Sequence, residues 1–245
     1  MKDEKRYAFE YLNNFEKTLY QEIRQGIIEG RRIITSEQKC APLVINKVIK
    51  YILLDHPDLF WFEGKWGYKE VANGMQIGLV YTTPWENVST YKERLLEEVE
   101  RITGELSGDD VQKAKQLYHW FHENVSYGKY TTGQNVKDAL IMRDAVCKGM
   151  AKAYQLLLRQ AGIFSVLVEG SIDGTVKHVW NIVELKDSYY HVDVAMGYEE
   201  VWTNIGIAKQ EANFFGMSDE TLHRYCQMDK AEWVSWKCNS DLIEE

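Results

Sequence analysis

The chain of 245 residues contains little proline, few cysteines and no long apolar run. Three prolines and 17 glycines exclude a collagen-like chain, a proline-rich linker and low-complexity disorder. No run approaches the roughly 18 consecutive apolar residues that would indicate a membrane-spanning helix. Lys and Arg number 29 against 37 Asp and Glu, a net charge of -8, and an acidic surface repels phosphate backbones. The sequence therefore predicts neither a membrane span nor non-specific binding to nucleic acid.

The cysteines are few and lie far apart. They are Cys40, Cys147, Cys226 and Cys238, with no CxxC pair among them. Residues 1–6 do not lead into the continuous apolar segment of a signal peptide. Such a chain is expected to carry free thiols in a reducing compartment. We therefore expect a cytoplasmic protein, although a chain trimmed of its leader would show the same N-terminus.

The residues that are present have the composition of a folded protein. Hydrophobic residues make up 45% of the chain and aromatic residues 13%, with eight tryptophans. At about 150 residues per domain, the length predicts one or two domains. The turn-rich residues 104–108 form the strongest internal boundary. We predict a mixed N-terminal region of helices and short strands, residues 1–104, packed on a second region, residues 105–245, that ends in helices.

Hydrophobic periodicity predicts the elements of both regions. Helices are expected over residues 5–28, 37–54, 85–103, 111–125, 146–161 and most of 204–245. Strands are expected over residues 31–35, 59–62, 75–83, 166–169, 177–185 and 188–194. Ser107 and Asp110 have the spacing of a capping box before the fourth helix, and Gly162 is placed to end the fifth.

Cys147 differs from the other cysteines because it falls at the predicted start of a helix. Free backbone N–H groups and the positive end of the helix dipole stabilise a thiolate at that position. The thiol pKa is thereby lowered, as a cysteine nucleophile requires near neutral pH. Gly149 and Ala151 are small and allow a backbone or a substrate to approach closely. A buried core cysteine is the alternative interpretation of the same residue.

The last two predicted strands supply partners for this thiol. If residues 186–187 form a two-residue hairpin turn, Asp193 lies opposite Trp180. Alternation along the strands then places His178 and Asp193 on one face as diagonal neighbours. A carboxylate at that distance holds an imidazole in one tautomer and leaves its other nitrogen facing a thiol. The combination predicts a nucleophilic triad of Cys147, His178 and Asp193.

Other side chains near these motifs carry weaker signals. His119 and His122 lie three residues apart on one helix, but neither an HExxH motif nor a nearby third ligand accompanies them, so a metal site is disfavoured. His191 alternates with Asp193 and could face the same side, with a structural role favoured. Trp180 is expected to pack around the site, and contact with a substrate is the functional alternative.

The chain contains a series of four motifs in a fixed order. Val-Cys-Lys-Gly at residues 146–149 opens a helix, and the leucine-rich helix ends at Gly162. His-Val-Trp-Asn follows at residues 178–181 and Tyr-His-Val-Asp at residues 190–193. This pattern resembles the transglutaminase-like superfamily, one of the papain-like folds with a cysteine nucleophile.

The likeness covers roughly residues 107–225. Residues 213–220 are similar to a segment that often follows the domain in bacterial members. Where the family often has Thr and Trp after its Asp, this chain has Val-Ala-Met-Gly at residues 194–197. That departure concerns the substrate site more than the triad.

The resemblance implies an α+β fold in which the nucleophile-bearing helix packs on an antiparallel sheet, with residues 105–245 as the catalytic domain. It implies an enzyme that acts on amide bonds of peptides or proteins through Cys147, His178 and Asp193 and a thioester intermediate. Water would resolve the thioester in a peptidase or amidase, and an amine would resolve it in a transglutaminase. The Cys147 backbone N–H and a second donor, either Gln134 or Tyr127, are expected to form an oxyanion hole.

The resemblance also leaves a second class of function open. Some transglutaminase-like domains are catalytically silent and bind proteins, usually after losing triad members, whereas this chain has all three. We expect a peptide or protein substrate, no nucleic acid, and catalysis without a metal or other cofactor. The sequence does not indicate the oligomeric state.

Overall fold

The protein is described by a computed structural model that covers residues 7–204, 206, 212–231 and 235–243. The chain divides into two compact units, one from residue 4 to residue 93 and the other from residue 94 onward. The division falls inside one long helix. The domain boundary at residue 104 stays a prediction.

The first unit combines helices with a three-stranded antiparallel sheet. Its elements are a 3-10 turn (Phe9–Tyr11), α1 (Asn14–Glu29), β1 (Ile33–Ser36), α2 (Pro42–Asp55), β2 (Lys65–Val71), β3 (Gly74–Val80) and the first part of α3 (Trp85–Gly104). The strand order is β1-β3-β2. Asp55 is fully buried and accepts hydrogen bonds from the backbone N–H groups of Ala8 and Phe9 and from the Tyr20 hydroxyl. This carboxylate ties the 3-10 turn to both helices.

The strand prediction for residues 59–62 was wrong. These residues lie in turns, and Phe60, Trp61 and Phe62 are each 1% exposed. These residues are consecutive and apolar because each of them is buried, and not because they form a strand. Strand β2 was not predicted, because its residues are exposed or half-buried and give only a weak apolar pattern.

The second unit is built around a five-stranded antiparallel sheet. After the end of α3 its elements are α4 (Asp110–Asn124), β4 (Ser126–Tyr127), α5 (Val136–Leu140), β5 (Asp144–Ala145), α6 (Cys147–Ala161), β6 (Ser165–Ile172), β7 (Val176–Leu185), β8 (Ser188–Val192), α7 (Glu199–Asn204), β9 (Phe215–Met217), α8 (Asp219–Leu222) and β10 (Cys226–Met228). The strand order is β10-β6-β7-β8-β9. Helix α6 packs against β6 and β7. The fold is therefore α+β, with the cysteine-bearing helix on an antiparallel sheet, as predicted.

The ends of the helices in this unit follow capping chemistry. Asp109, rather than the predicted Ser107, caps α4, because its side chain accepts the Gln112 N–H while the Gln112 side chain accepts the Asp109 N–H. Gly162 ends α6 with φ at 87°, a left-handed conformation that favours glycine. The prediction for Gly162 was correct.

The prediction of mainly helical structure after residue 204 was wrong for the described residues. Between residues 212 and 243 they form two short strands and one helical turn. Phe215–Met217 and Cys226–Met228 add to opposite edges of the sheet, so tertiary pairing determines their conformation. Trp233, also placed in this predicted helix, lies outside the described residues. Within the part of the chain that the structure describes, no helix combines the length and the apolar character needed to cross a membrane.

Candidate active site

Helix α6 begins at Cys147 without a side-chain cap. Its N-cap residue Val146 makes no capping hydrogen bond through its side chain, so backbone N–H groups of the first turn remain available near the thiol. The Val146 N–H donates to the Gly133 carbonyl oxygen at 3.0 Å. The same oxygen is 2.9 Å from where a Cβ at residue 149 would lie. Glycine at 149 thus permits the close backbone approach that its small size predicted.

The hairpin between β7 and β8 forms in the predicted register. Lys186 and Asp187 both have positive φ, 49° and 57°, as a type I′ turn requires. The paired residues run from Leu185 opposite Ser188 to Asn181 opposite Val192. Asp193 follows Val192 at the end of this pairing, and His178 precedes Asn181 by three residues on β7. His178 Nε2 lies 2.6 Å from Asp193 Oδ2. The structure therefore brings His178 and Asp193 together.

Asp193 is held by its own backbone surroundings. Its Oδ1 accepts the N–H groups of Ala195 at 3.0 Å and Met196 at 3.1 Å, and its own N–H donates to the Phe214 carbonyl oxygen. Since Oδ1 already accepts two bonds, Oδ2 is the oxygen that faces His178. The ionised carboxylate only accepts, so His178 Nε2 carries the proton of this bond and Nδ1 is left for the thiol.

The thiol and the imidazole alter each other's pKa. Burial raises the pKa of the Cys147 thiol, but its hydrogen bond with His178 and the charge of that ring bring the pKa below its ordinary value. Burial lowers the pKa of His178, but the Asp193 carboxylate and the Cys147 thiol together raise it to about 10. Above the lowered pKa of Cys147 and below the raised pKa of His178, the pair consists of a thiolate and an imidazolium.

The side chain of Asn181 joins the strand of His178 to the helix of Cys147. Its Nδ2 donates to the Ala151 carbonyl oxygen at 3.1 Å, and both residues are buried. This bond runs between β7 and α6. It helps to keep the imidazole and the thiol at a constant separation.

Tyr127 also lies beside Cys147. It pairs with Ala145 in the parallel β4–β5 ladder. Burial and the neighbouring Cys147 thiol raise the pKa of its hydroxyl, while a hydrogen bond from the Cys147 backbone N–H lowers it. The Tyr127 hydroxyl and the Cys147 N–H therefore lie together beside the sulfur atom.

The loop after Tyr127 is fixed by one buried carboxylate. Asp144 in β5 accepts the backbone N–H groups of Lys129, Tyr130 and Thr131 at 2.8, 2.8 and 2.6 Å. Gln134 follows in this loop, where it is exposed, and its side chain makes no hydrogen bond with any residue that the structure describes. Of the two predicted oxyanion-hole donors, Tyr127 is thus beside Cys147 and Gln134 is not bound to it.

Trp180 and His191 form a layer behind the imidazole. Trp180 is fully buried and its ring is stacked with that of His178 at 6.0 Å between centroids. Its Nε1–H donates to His191 Nδ1 at 3.0 Å. Trp180 has no exposed surface in this structure, where it packs against His178, and its predicted contact with a substrate stays a prediction.

Two side-chain groups among the described residues have the composition of metal ligands. They are His178 with Asp193 and Cys226, and His191 with Asp219 and Cys238, each with ligand atoms within 4.8 Å of one another. In the first group the imidazole and the carboxylate already bind each other. His119 and His122, where the sequence disfavoured a metal site, belong to neither group. The places of Cys226 and Asp219 in these groups could not be predicted, because only the folding of the C-terminal segment brings them here.

One family model matches the chain. Residues 98–194 match the transglutaminase-like superfamily, and this stretch includes Cys147, His178 and Asp193. Among curated proteins, no relative matches the sequence.

Two solved structures show low similarity to this chain. One is named "Crystal structure of a TGase"; it is 11% identical, with a TM-score of 0.38, over 54% of this chain and 44% of that chain. The other is named "Putative Cysteine Protease from Cytophaga hutchinsonii"; it is 11% identical, with a TM-score of 0.36, over 54% of this chain and 61% of that chain. In each case the match spans less than two thirds of the solved chain.

Over residues 98–194 this chain is therefore similar to the transglutaminase-like superfamily.

The pKa shifts of the four thiols predict selective alkylation. All four cysteines are free, but burial raises the pKa values of Cys40, Cys226 and Cys238, whereas that of Cys147 is lowered. The thiolate is the nucleophile, so iodoacetamide should label Cys147 first at neutral and mildly acidic pH. Peptide mass spectrometry between about pH 5 and about pH 9 measures this. Equal and slow labelling of Cys40 and Cys147, each increasing only at alkaline pH, would contradict the assignment.

Proposed function

We propose that this chain is a cysteine-nucleophile enzyme that cleaves or transfers amide bonds of peptides or proteins through a thioester on Cys147. The observation that carries the proposal is the continuous chain from the Cys147 thiol through His178 to Asp193, located at the N-terminus of α6. A buried imidazole with its pKa raised beside a thiol with its pKa lowered is the arrangement that nucleophilic cysteine catalysis requires.

The reaction begins from the thiolate and the imidazolium. The Cys147 sulfur attacks the amide carbonyl carbon, and the C=O electron pair moves onto the oxygen. His178 then gives its Nδ1 proton to the amide nitrogen, the C–N bond breaks, and the amine leaves a thioester on Cys147. Water or a second amine attacks the thioester, His178 takes a proton from it, and the thiolate leaves with the imidazolium restored. Asp193 keeps the proton on Nε2 throughout, so that Nδ1 is the atom that exchanges protons.

The oxyanion in this scheme needs two hydrogen-bond donors. These roles are assigned to the backbone N–H of Cys147 and the hydroxyl of Tyr127, which are hydrogen-bonded to each other in the structure and would both turn to the oxyanion when a substrate binds. Tyr127 is favoured over Gln134, because the Gln134 side chain is exposed in the loop before α5. Tyr198 supports this placement, since its ring packs on that of Tyr127 at 5.8 Å and its hydroxyl reaches the carbonyl oxygens of Phe121 and Val125.

Replacing Tyr127 by phenylalanine should lower kcat about 10²-fold, because one oxyanion donor is lost while the ring and its packing remain. KM should change little. Alkylation of Cys147 by iodoacetamide should also change little, because that reaction forms no oxyanion. The matched control is Tyr130→Phe, an exposed tyrosine in the following loop. If Tyr127→Phe and Tyr130→Phe have the same kcat as the unmodified enzyme, Tyr127 is not the donor.

Hydrolysis and transfer are separated by one assay. The protein is incubated with a panel of peptide amides, with and without an added primary amine, and the products are resolved by mass spectrometry. Free acid in both conditions supports a peptidase or amidase, and amine adducts that replace the acid support a transglutaminase. A folded protein whose Cys147 shows an ordinary alkaline alkylation profile and no product would instead support a catalytically silent binding domain.

A further inference from the structure

His191 contacts Trp180, whose ring also stacks with the imidazole of His178. The Trp180 ring is inclined by 25° to that of His178. Its opposite edge lies over β6, where a Cβ at Gly170 would come within 2.7 Å of the indole. The only polar atom of the Trp180 side chain is Nε1, whose hydrogen bond to His191 Nδ1 anchors the ring between the two histidines.

The hydrogen bonds of His191 determine its tautomer. An indole N–H only donates, so His191 Nδ1 must accept and carry no proton. The ring proton of the neutral form is therefore on Nε2, which donates to Asp219 Oδ1 at 2.9 Å. Protonation of Nδ1 would place two donors against each other in a site where both rings are fully buried.

The same tautomer argues against a metal ion in the group of His191, Asp219 and Cys238. An ion at Nε2 would require the ring proton to move to Nδ1, where it would oppose the Trp180 N–H. The hydrogen bond between His191 and Asp219 is therefore better explained by its effect on the tautomer: it keeps His191 Nδ1 as the acceptor of the Trp180 N–H.

Charged groups on every neighbouring element act on His191. Asp219 on α8 and Asp193 at the end of β8 favour its protonation, whereas His223 after α8 opposes it. The Cys238 thiol receives a hydrogen bond from the His191 backbone N–H. Burial has the largest effect and lowers the pKa of the His191 ring, which agrees with a neutral imidazole.

We propose that His191 is a positioning residue of the candidate active site: held as the Nε2–H tautomer by Asp219, it fixes Trp180, and Trp180 keeps the His178 ring between Cys147 and Asp193. This inference rests on the proposed function, because it assumes that His178 is the partner of the Cys147 thiolate. His191 does not touch the sulfur or the substrate and acts only through Trp180.

The inference predicts the pH dependence of Cys147 reactivity. Replacing His191 by phenylalanine leaves the Trp180 N–H without its acceptor and releases the ring that supports His178. When the imidazolium moves away from the thiolate, the Cys147 pKa should rise by about one to three units. The midpoint of the alkylation profile should rise equally, whereas a purely structural role would lower the melting temperature and leave the midpoint unchanged.

The experiment measures the rate constant for alkylation of Cys147 by iodoacetamide from about pH 4 to about pH 10, with a melting curve for each protein. The variants are His191→Phe, Trp180→Phe, the double variant, and His119→Phe as a matched control that replaces an exposed histidine on α4. We expect an acidic midpoint in the unmodified protein and in the control, and a higher one in His191→Phe. In the Trp180→Phe background, where the indole N–H is already absent, His191→Phe should cause no further shift.

Each outcome distinguishes the two proposals. An alkaline midpoint in the unmodified protein contradicts the proposed function itself. An acidic midpoint that stays the same in a folded His191→Phe protein, or that shifts equally in both backgrounds, overturns only the role of His191. If His191→Phe does not fold, Asp219→Ala removes the acceptor of Nε2–H at a partly exposed position. It should raise the midpoint in the same direction, and an unchanged midpoint overturns the inference.

Discussion

Replacing Cys147 by alanine should abolish amide turnover and leave the fold intact. The thiol is the atom that forms the thioester, and water held at the same place has neither its nucleophilicity nor its lowered pKa. Loss of the nucleophile in a comparable serine-protease triad costs on the order of 10⁶ in kcat, so we expect a loss of at least about 10⁴ here. Alanine favours a helix, so α6 should still begin at this residue.

The measurement is kcat/KM on one peptide amide substrate, with circular dichroism and a melting curve for each protein. His178→Ala should show a loss of similar size, because the leaving amine then receives no proton. The matched control is Cys40→Ala, which removes a partly exposed thiol from the other unit. Turnover by a folded Cys147→Ala protein at the unmodified rate would exclude Cys147 as the nucleophile.

Replacing Asp193 by asparagine should lower kcat/KM by roughly 10² to 10³ while the protein remains folded. The Oδ1 of the new side chain should keep accepting the N–H groups of Ala195 and Met196, and its amide nitrogen then faces His178 Nε2. An amide nitrogen donates, so Nε2 must accept and the ring proton moves to Nδ1. A neutral imidazole with its proton on Nδ1 cannot take a proton from water or an amine, and the imidazolium loses its counter-charge.

The corresponding change in a serine-protease triad costs about 10⁴ in kcat. A smaller loss is expected here because a thiol ionises more readily than a hydroxyl. The matched control is Asp187→Asn, which makes the same chemical change at an exposed hairpin position with φ at 57°, where asparagine is tolerated. A folded and fully active Asp193→Asn enzyme would remove Asp193 from the proposed triad.

The sequence predicted the register of the β7–β8 hairpin, and with it the contact between His178 and Asp193, because that register is set locally. The triad with Cys147 stays a proposal. A helix start is read from a short segment, and a two-residue turn sets the register of a whole hairpin, since each residue then has one partner. The alternation of side chains along β7 and β8 follows from that register. The packing of α6 against this hairpin is a tertiary contact. It was expected from the resemblance to the family and not from local sequence.

The hydrogen bonds that join Trp180, His191 and Asp219 could not be predicted from local sequence. Asp219 binds His191 across 28 residues of sequence, and the sequence predicted a helix for the part of this stretch after residue 204. The edge strands β9 and β10 are three residues each, too short for alternation to distinguish them from helix or loop. Their pairing with β8 and β6 decides where Cys226 and Asp219 lie.

The most direct test of the central claim is to trap the thioester on Cys147. A reaction with a peptide amide is quenched in acid, digested and analysed by mass spectrometry. The account predicts that the peptide containing Cys147 gains the mass of the acyl group, that hydroxylamine removes it, and that Asp193→Asn slows its formation. Turnover without an adduct on Cys147, or with an adduct that forms equally in Cys147→Ala, would contradict the account.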